Sequence, residues 1–122
     1  MTDGDVDKAR LRAGRNQSMF REVNERIEEV SQRWAAAPQF VCECENTRCA
    51  EIIALSVEEY ELVRGDPTCF FVAPGHDVPE VEEVVSTTDR YLVVRKLGVG
   101  RSIAVRFDPR QGDAHAPAAW LP

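Results

Sequence analysis

Three of the four cysteines in this chain stand within eight residues, in the stretch CECENTRC from Cys42 to Cys49. The side chains between them, among them Glu43, Glu45, Asn46 and Arg48, are polar, so a shared apolar core does not account for the cluster. At 122 residues the chain has the size of one domain with a modest core, for which any extra crosslink matters. The opening MTDGDVDKARLRAGR lacks the apolar run of a secretory leader, from which a reducing, cytoplasmic setting is expected. In such a setting clustered thiols serve as metal ligands or reactive groups more often than as a disulfide framework. No apolar run approaches the roughly 20 residues that a membrane span requires.

Zinc takes four soft or borderline ligands near tetrahedral geometry, with sulfur about 2.3 Å from the metal. The pattern C-x-C-x4-C puts Cys42 and Cys44 on one side of an extended segment and brings Cys49 back over them through a short loop. Two residues could complete the set. Cys69 opens the apolar run CFFV, where a free cysteine often acts as a small hydrophobe. His76 lies in APGHDVP, a turn stiffened by Pro74 and Pro79 and relaxed at Gly75, and is the better-presented candidate. His115 falls in the Pro- and Ala-rich end and stands apart from the cluster.

The pattern of apolar residues predicts an α+β fold of helices and a small antiparallel sheet. Phe20, Val23, Ile27, Val30 and Trp34 recur at spacings of three and four, which predicts an amphipathic helix over Asn16–Trp34 with this stripe packed on its own domain. The narrow seam also suits pairing with a second copy, more so if the helix reaches back through Leu11. Glu22–Arg26 and Glu29–Arg33 are spaced to support the opposite face. QFVCEC and EIIAL read as strands flanking the cysteine turn. SVEEYELVRG reads as a helix capped by Ser56 and Glu59, with Leu55 and Tyr60 at the positions of a hydrophobic staple. CFFVA reads as a buried strand, VEEVVSTTDRYLVVRKL as a hairpin, and SIAVRF as a further strand. The domain is expected over 15–107, with a flexible N-terminus over 1–14 and a mobile tail over 108–122.

The net charge of −6 is unevenly placed. Residues 1–37 carry seven acidic and seven basic side chains, and the remainder carries fourteen acidic against eight basic. An acidic body argues against a nucleic-acid-binding role, since phosphate recognition needs a basic face. Arg10, Arg12 and Arg15 form the one basic patch and read as a solvated end.

The segments RNQSMFREVNERI, FVCECENTRC, SVEEYELVRGDPTCFFVAPGHDVPEVEEVV and RYLVVRKLG together resemble a family of small actinobacterial proteins. Its members run an FREVNERI-like helix into an F-x-C-E-C…C segment, an EYE-x-VR helix and a PGH turn. No activity is attached to the family, so the resemblance implies no reaction or substrate. It implies that Cys42, Cys44, Cys49 and His76 belong to the shared motif and that Cys69 departs from it.

These readings lead to a non-catalytic, zinc-stabilised interaction or regulatory domain with a protein partner, a possible homodimer through the N-terminal helix, and neither nucleic acid nor membrane as a ligand. A redox switch that releases zinc on oxidation, with Cys69 as a resolving thiol, is the alternative. A zinc hydrolase using Glu43, Glu80 or Asp77 as base is the remaining one. It has little support, because HExxH, a phosphate-binding glycine loop, a deaminase signature and a nucleophile elbow are all missing.

Overall fold

In the computed structural model, which describes residues 3–34 and 38–110, the elements run α1 (Asp3–Trp34), β1 (Gln39–Val41), β2 (Ile52–Ala54), α2 (Val57–Arg64), β3 (Cys69–Val72), β4 (Glu82–Thr87), β5 (Leu92–Lys96) and α3 (Val99–Arg106). The fold is α+β. A two-stranded antiparallel ribbon, β1–β2, and a three-stranded antiparallel sheet ordered β3–β5–β4 lie beside one long and two short helices. No helix among the described residues is long and apolar enough to cross a membrane.

The strands follow from local chemistry. In β3 all four residues are buried, as expected of an apolar run covered on both faces, and β5 pairs with it from Cys69 opposite Arg95 to Val72 opposite Leu92. The β4–β5 hairpin forms as its valines predict, with an irregularity between Val84 and Ser86. Ser56 caps α2 by accepting from the Glu59 amide at 3.0 Å, and the Glu59 carboxylate accepts from the Ser56 amide at 2.9 Å, completing the capping box. Leu55 and Tyr60 are both buried in the core. At its centre Phe40 stacks on Tyr60 with ring centroids 4.4 Å apart, and Phe71 meets both edge-on. Burial of rings of this size contributes about 2–3 kcal/mol each.

One expectation is corrected, and two segments read as chain ends carry described structure. SIAVRF is not a strand: α3 covers it, because Gly100, Ile103 and Ala104 are the buried positions and their spacing is helical. Helix α1 begins at Asp3, so residues 4–14, read from the sequence as part of a flexible end, continue it and pack on α3, with Gly14 close to Ile103. Asp108 and Arg110, assigned to the tail, are tied down: Asp108 pairs with the buried Arg64, and Arg110 donates to Glu25 at 2.6 Å and Glu61 at 2.5 Å. Residues 111–122, including His115, lie outside the described residues.

The largest departure concerns which face of α1 is buried. Beyond the buried Ala13 and Gly14, its covered residues are Gln17, Ser18, Arg21, Asn24, Glu28 and Ser31, whereas Val23, Val30 and Trp34 of the apolar stripe are exposed. Only Ile27 of that stripe packs on the core. The reason is what the helix lies against. It meets peptide groups in β1, the cysteine segment, β3 and α3, and these need hydrogen-bond donors. Asn24 Nδ2 donates to the Val41 carbonyl at 2.8 Å, Gln17 Nε2 to the Glu43 carbonyl at 2.9 Å, and Arg21 Nη2 to the Cys69 carbonyl at 2.5 Å. The guanidinium of Arg21 also lies 3.7 Å from the centre of the Phe70 ring. Burial lowers the Arg21 pKa to about 10, against the pull of Glu43. Further along, Lys96 Nζ donates to Glu82 at 3.1 Å and to Gln17, forming a buried polar seam between α1 and the sheet.

Candidate metal centre

The cysteine segment enters the core directly after β1. The Cys42 amide donates to the Glu51 carbonyl at 2.9 Å, prolonging the β1–β2 ribbon by one bond, and the Glu43 amide donates to Phe71 at 3.0 Å. Extended backbone sends alternate side chains to opposite sides. Cys42 and Cys44 therefore share one side, and Glu43 points to the other, towards α1. A tight turn follows, in which the Arg48 amide donates to Asn46 Oδ1 at 3.0 Å and the Cys49 amide to the Asn46 carbonyl at 2.9 Å. This turn returns Cys49 to the first two thiols.

His76 is brought in on the turn Ala73-Pro74-Gly75-His76, which follows the adjacent strand β3. Its amide donates to the Ala73 carbonyl at 2.9 Å, and Gly75 has φ of +87°, the combination of Pro then left-handed Gly that a type II turn requires. The turn is anchored in β3, so the histidine is as well placed as the strand itself.

Together, one sulfur each from Cys42, Cys44 and Cys49 and one ring nitrogen of His76 lie within 4.8 Å of one another. His76 Nδ1 is 3.6 Å from Cys42 Sγ and 3.6 Å from Cys49 Sγ. Bonds of about 2.3 Å to sulfur and 2.0 Å to nitrogen at the tetrahedral angle separate the two ligand atoms by about 3.5 Å. The observed separations are thus those of two edges of a metal-sized tetrahedron. The cluster of three cysteines and one histidine can hold a metal ion. No protein-family model, curated protein or solved structure matches the chain.

The surroundings suit bound thiolates. Cys42 and Cys44 are buried, while Cys49 and His76 are half-buried. The Ala73 amide donates to Cys42 Sγ at 3.2 Å, a bond that supports negative charge on that sulfur. Burial pushes the Cys42 and Cys44 thiols up, so without a cation both are held neutral. A coordinated cation reverses that preference.

Cys69 is not part of the group. It is buried at the start of β3, facing Arg95 across the sheet, and its thiol is pushed up by burial and by Asp66. Of the bases considered for a hydrolase, Asp77 directly follows His76 and is half-buried, whereas Glu43 points to the opposite side of its segment from Cys42 and Cys44. Glu43 is fully buried and committed to Asn24 at 2.9 Å and the Phe71 amide at 3.3 Å, with its pKa raised to about 7 by burial against the pull of Arg21. Glu80 is exposed, and its carbonyl accepts from Arg10 at 3.2 Å.

Sequence reasoning missed the groups that hold the cluster in place from α1. Gln17, Arg21 and Asn24 follow a spacing of four and three beside the apolar stripe, and a polar run of that period was the available signal.

Proposed function

We propose that the chain is a zinc-stabilised, non-catalytic domain of a reducing compartment that works by engaging another protein. The observation that carries this reading is the convergence of three sulfurs and one imidazole nitrogen within 4.8 Å. Three thiolates and an imidazole favour zinc over hard cations such as calcium or magnesium, which prefer oxygen. Four protein ligands complete a tetrahedron and leave no position for a reacting water, the arrangement of a structural site. The metal would join the cysteine segment that follows β1 to the turn that follows β3, with Cys49 and His76 27 positions apart in the chain. Kinship with the actinobacterial family resembled by the motifs belongs to the same reading, since those motifs contain all four ligands.

Protein purified without chelators should contain one zinc per chain by elemental analysis. Cobalt substitution should give the intense d–d absorption of a tetrahedral site rich in sulfur, and a strong chelator should abolish the cooperative unfolding transition. Protein that is metal-free as isolated, with thermal stability indifferent to chelator, would overturn the proposal.

One observation favours a second role for the same site. Cys49 is the half-buried thiol of the three, so an oxidant reaches it first. Peroxide would take two electrons from Cys49 and a neighbouring ligand thiolate, forming one disulfide and two waters with uptake of two protons and releasing the metal. Zinc release at low peroxide, reversed by dithiothreitol and re-addition of zinc, is the expected result. Retention of zinc after the same exposure would leave the structural role alone.

A further inference from the structure

Helix α1 presents an unusual surface, because its buried face is largely polar and most of its apolar stripe is left exposed by the described residues. Met19, Val23, Val30 and Trp34 are 50%, 44%, 51% and 72% exposed. They lie on one stripe over more than four turns of a single helix, unlike the scattered apolar residues of an ordinary surface. One flank of the stripe is occupied by its own domain, where Ile27 joins the core and Asn24 holds β1. The other flank is open and carries Glu22, Arg26, Glu29 and Arg33. Among the described residues these four make no ion pair, although their i,i+4 spacing would permit two.

We propose that a second copy of the chain covers this stripe, with the two α1 helices antiparallel and a two-fold axis close to Ile27. The charges on the open flank select that arrangement. In an antiparallel pair, equivalent flanks face each other, and a residue opposes the one equally far beyond the axis. Val23 then lies over Val30, and Trp34 covers the partner's Phe20 and Met19. Glu22 meets Arg33 and Arg26 meets Glu29, and symmetry repeats both pairs. Every charge on the open flank finds its opposite. In a parallel pair this flank would face the side of the partner that β1 occupies, leaving the four charges unmatched. The inference rests on the exposed face of α1 and is independent of which metal the cysteines hold.

The test uses full-length, metal-loaded protein in sedimentation equilibrium or native mass spectrometry over a concentration series. The expected species has twice the chain mass of 13.7 kDa. Glu22→Arg alone sets Arg against Arg33 on both sides of the axis and should weaken the dimer by roughly tenfold or more, with Arg33→Glu alone acting alike. The double variant Glu22→Arg/Arg33→Glu should restore the original constant. All four positions are exposed, so unchanged metal content and circular dichroism show that the fold is retained. A chain that stays monomeric throughout the series would overturn the proposal and assign the stripe to another segment or a different protein. A dimer that ignores the single reversals, or that the double reversal does not restore, would overturn it equally.

Discussion

Asn24 and Val41 exchange two hydrogen bonds: the Val41 amide donates to Asn24 Oδ1 at 2.8 Å, and Asn24 Nδ2 donates to the Val41 carbonyl at 2.8 Å. The amide side chain thus does for β1 what a neighbouring strand would do, satisfying both peptide groups of the residue that precedes Cys42. Asn24 Nδ2 also donates to Glu43 at 2.9 Å, so one fully buried side chain fixes the positions on either side of Cys42.

Replacing Asn24 by Ala should therefore affect folding and metal retention together. The substitution leaves a buried amide, a carbonyl and a carboxylate short of partners, a loss of about 2–4 kcal/mol in denaturant titrations of the metal-loaded protein. Loosening the support of a ligand commonly costs 10–100-fold in metal affinity, so transfer of the metal to a chromophoric chelator should accelerate by about tenfold. Unchanged transfer kinetics would show that β1 does not depend on this contact to place Cys42.

The four thiols separate cleanly in their consequences. Cys69→Ser alters a buried residue of β3 remote from the cluster, and it should keep the full metal content at a stability loss of about 1 kcal/mol. Cys42→Ser, Cys44→Ser and Cys49→Ser should each lower affinity by orders of magnitude, as should His76→Ala. Elemental analysis after dialysis against a weak chelator distinguishes the two outcomes. Metal lost from Cys69→Ser, or kept by His76→Ala, would redraw the ligand set.

The cluster of Cys42, Cys44, Cys49 and His76 was legible in the sequence because its spacing and its turn residues are local: two cysteines two apart on extended backbone, an Asn-led loop, a Pro-Gly turn before the histidine. The capped helix α2 and the β4–β5 hairpin were legible for the same reason. What could not be read was the packing of α1. Its apolar and polar stripes share the same spacing of three and four, and periodicity says which residues lie on one face but not what that face will meet. Here the neighbour is a set of peptide groups, so the face with Gln17, Arg21 and Asn24 was the one buried. The misreading of α3 is different in kind. Ile103 and Val105 favour strands intrinsically, and only the small residues at Gly100 and Ala104 indicate a helix pressed closely against another.

That close approach predicts a specific failure. A Cβ at Gly14 would lie 2.9 Å from Ile103 Cγ2 and 3.1 Å from Ile103 Cβ, atoms of a β-branched side chain with little freedom to turn away. Although Ala gains about 1 kcal/mol over Gly in helix propensity, overpacking here costs about 1–3 kcal/mol, so Gly14→Ala should be net destabilising. Ile103→Ala removes the closer of these two atoms and leaves Cβ, so in that background Gly14→Ala should cost clearly less than in the parent. Additive effects in the double variant would mean that α1 and α3 do not touch at this crossing.

Glu28, alongside Glu43, is placed to make stability depend on pH near neutrality. Its carboxylate is buried on α1 next to Glu61, with Oε1 accepting from Arg110 at 3.2 Å and Oε2 left without a partner among the described residues. Burial, reinforced by Glu61 and opposed by Arg110, raises its pKa to about 8, whereas an unfolded Glu titrates near about 4.3. Between those values the folded chain holds a proton that the unfolded chain has lost. Stability from this group is accordingly complete below about pH 4 and is lost as pH rises towards 8. Glu28→Gln is neutral throughout and lacks this slope. In urea titrations of metal-loaded protein at pH 6 and pH 8.5, the advantage of Glu28→Gln over the parent should grow with pH, reaching on the order of 1–2 kcal/mol at the upper value. Parallel stability curves for the two proteins would show instead that Arg110 keeps Glu28 ionised across the whole range.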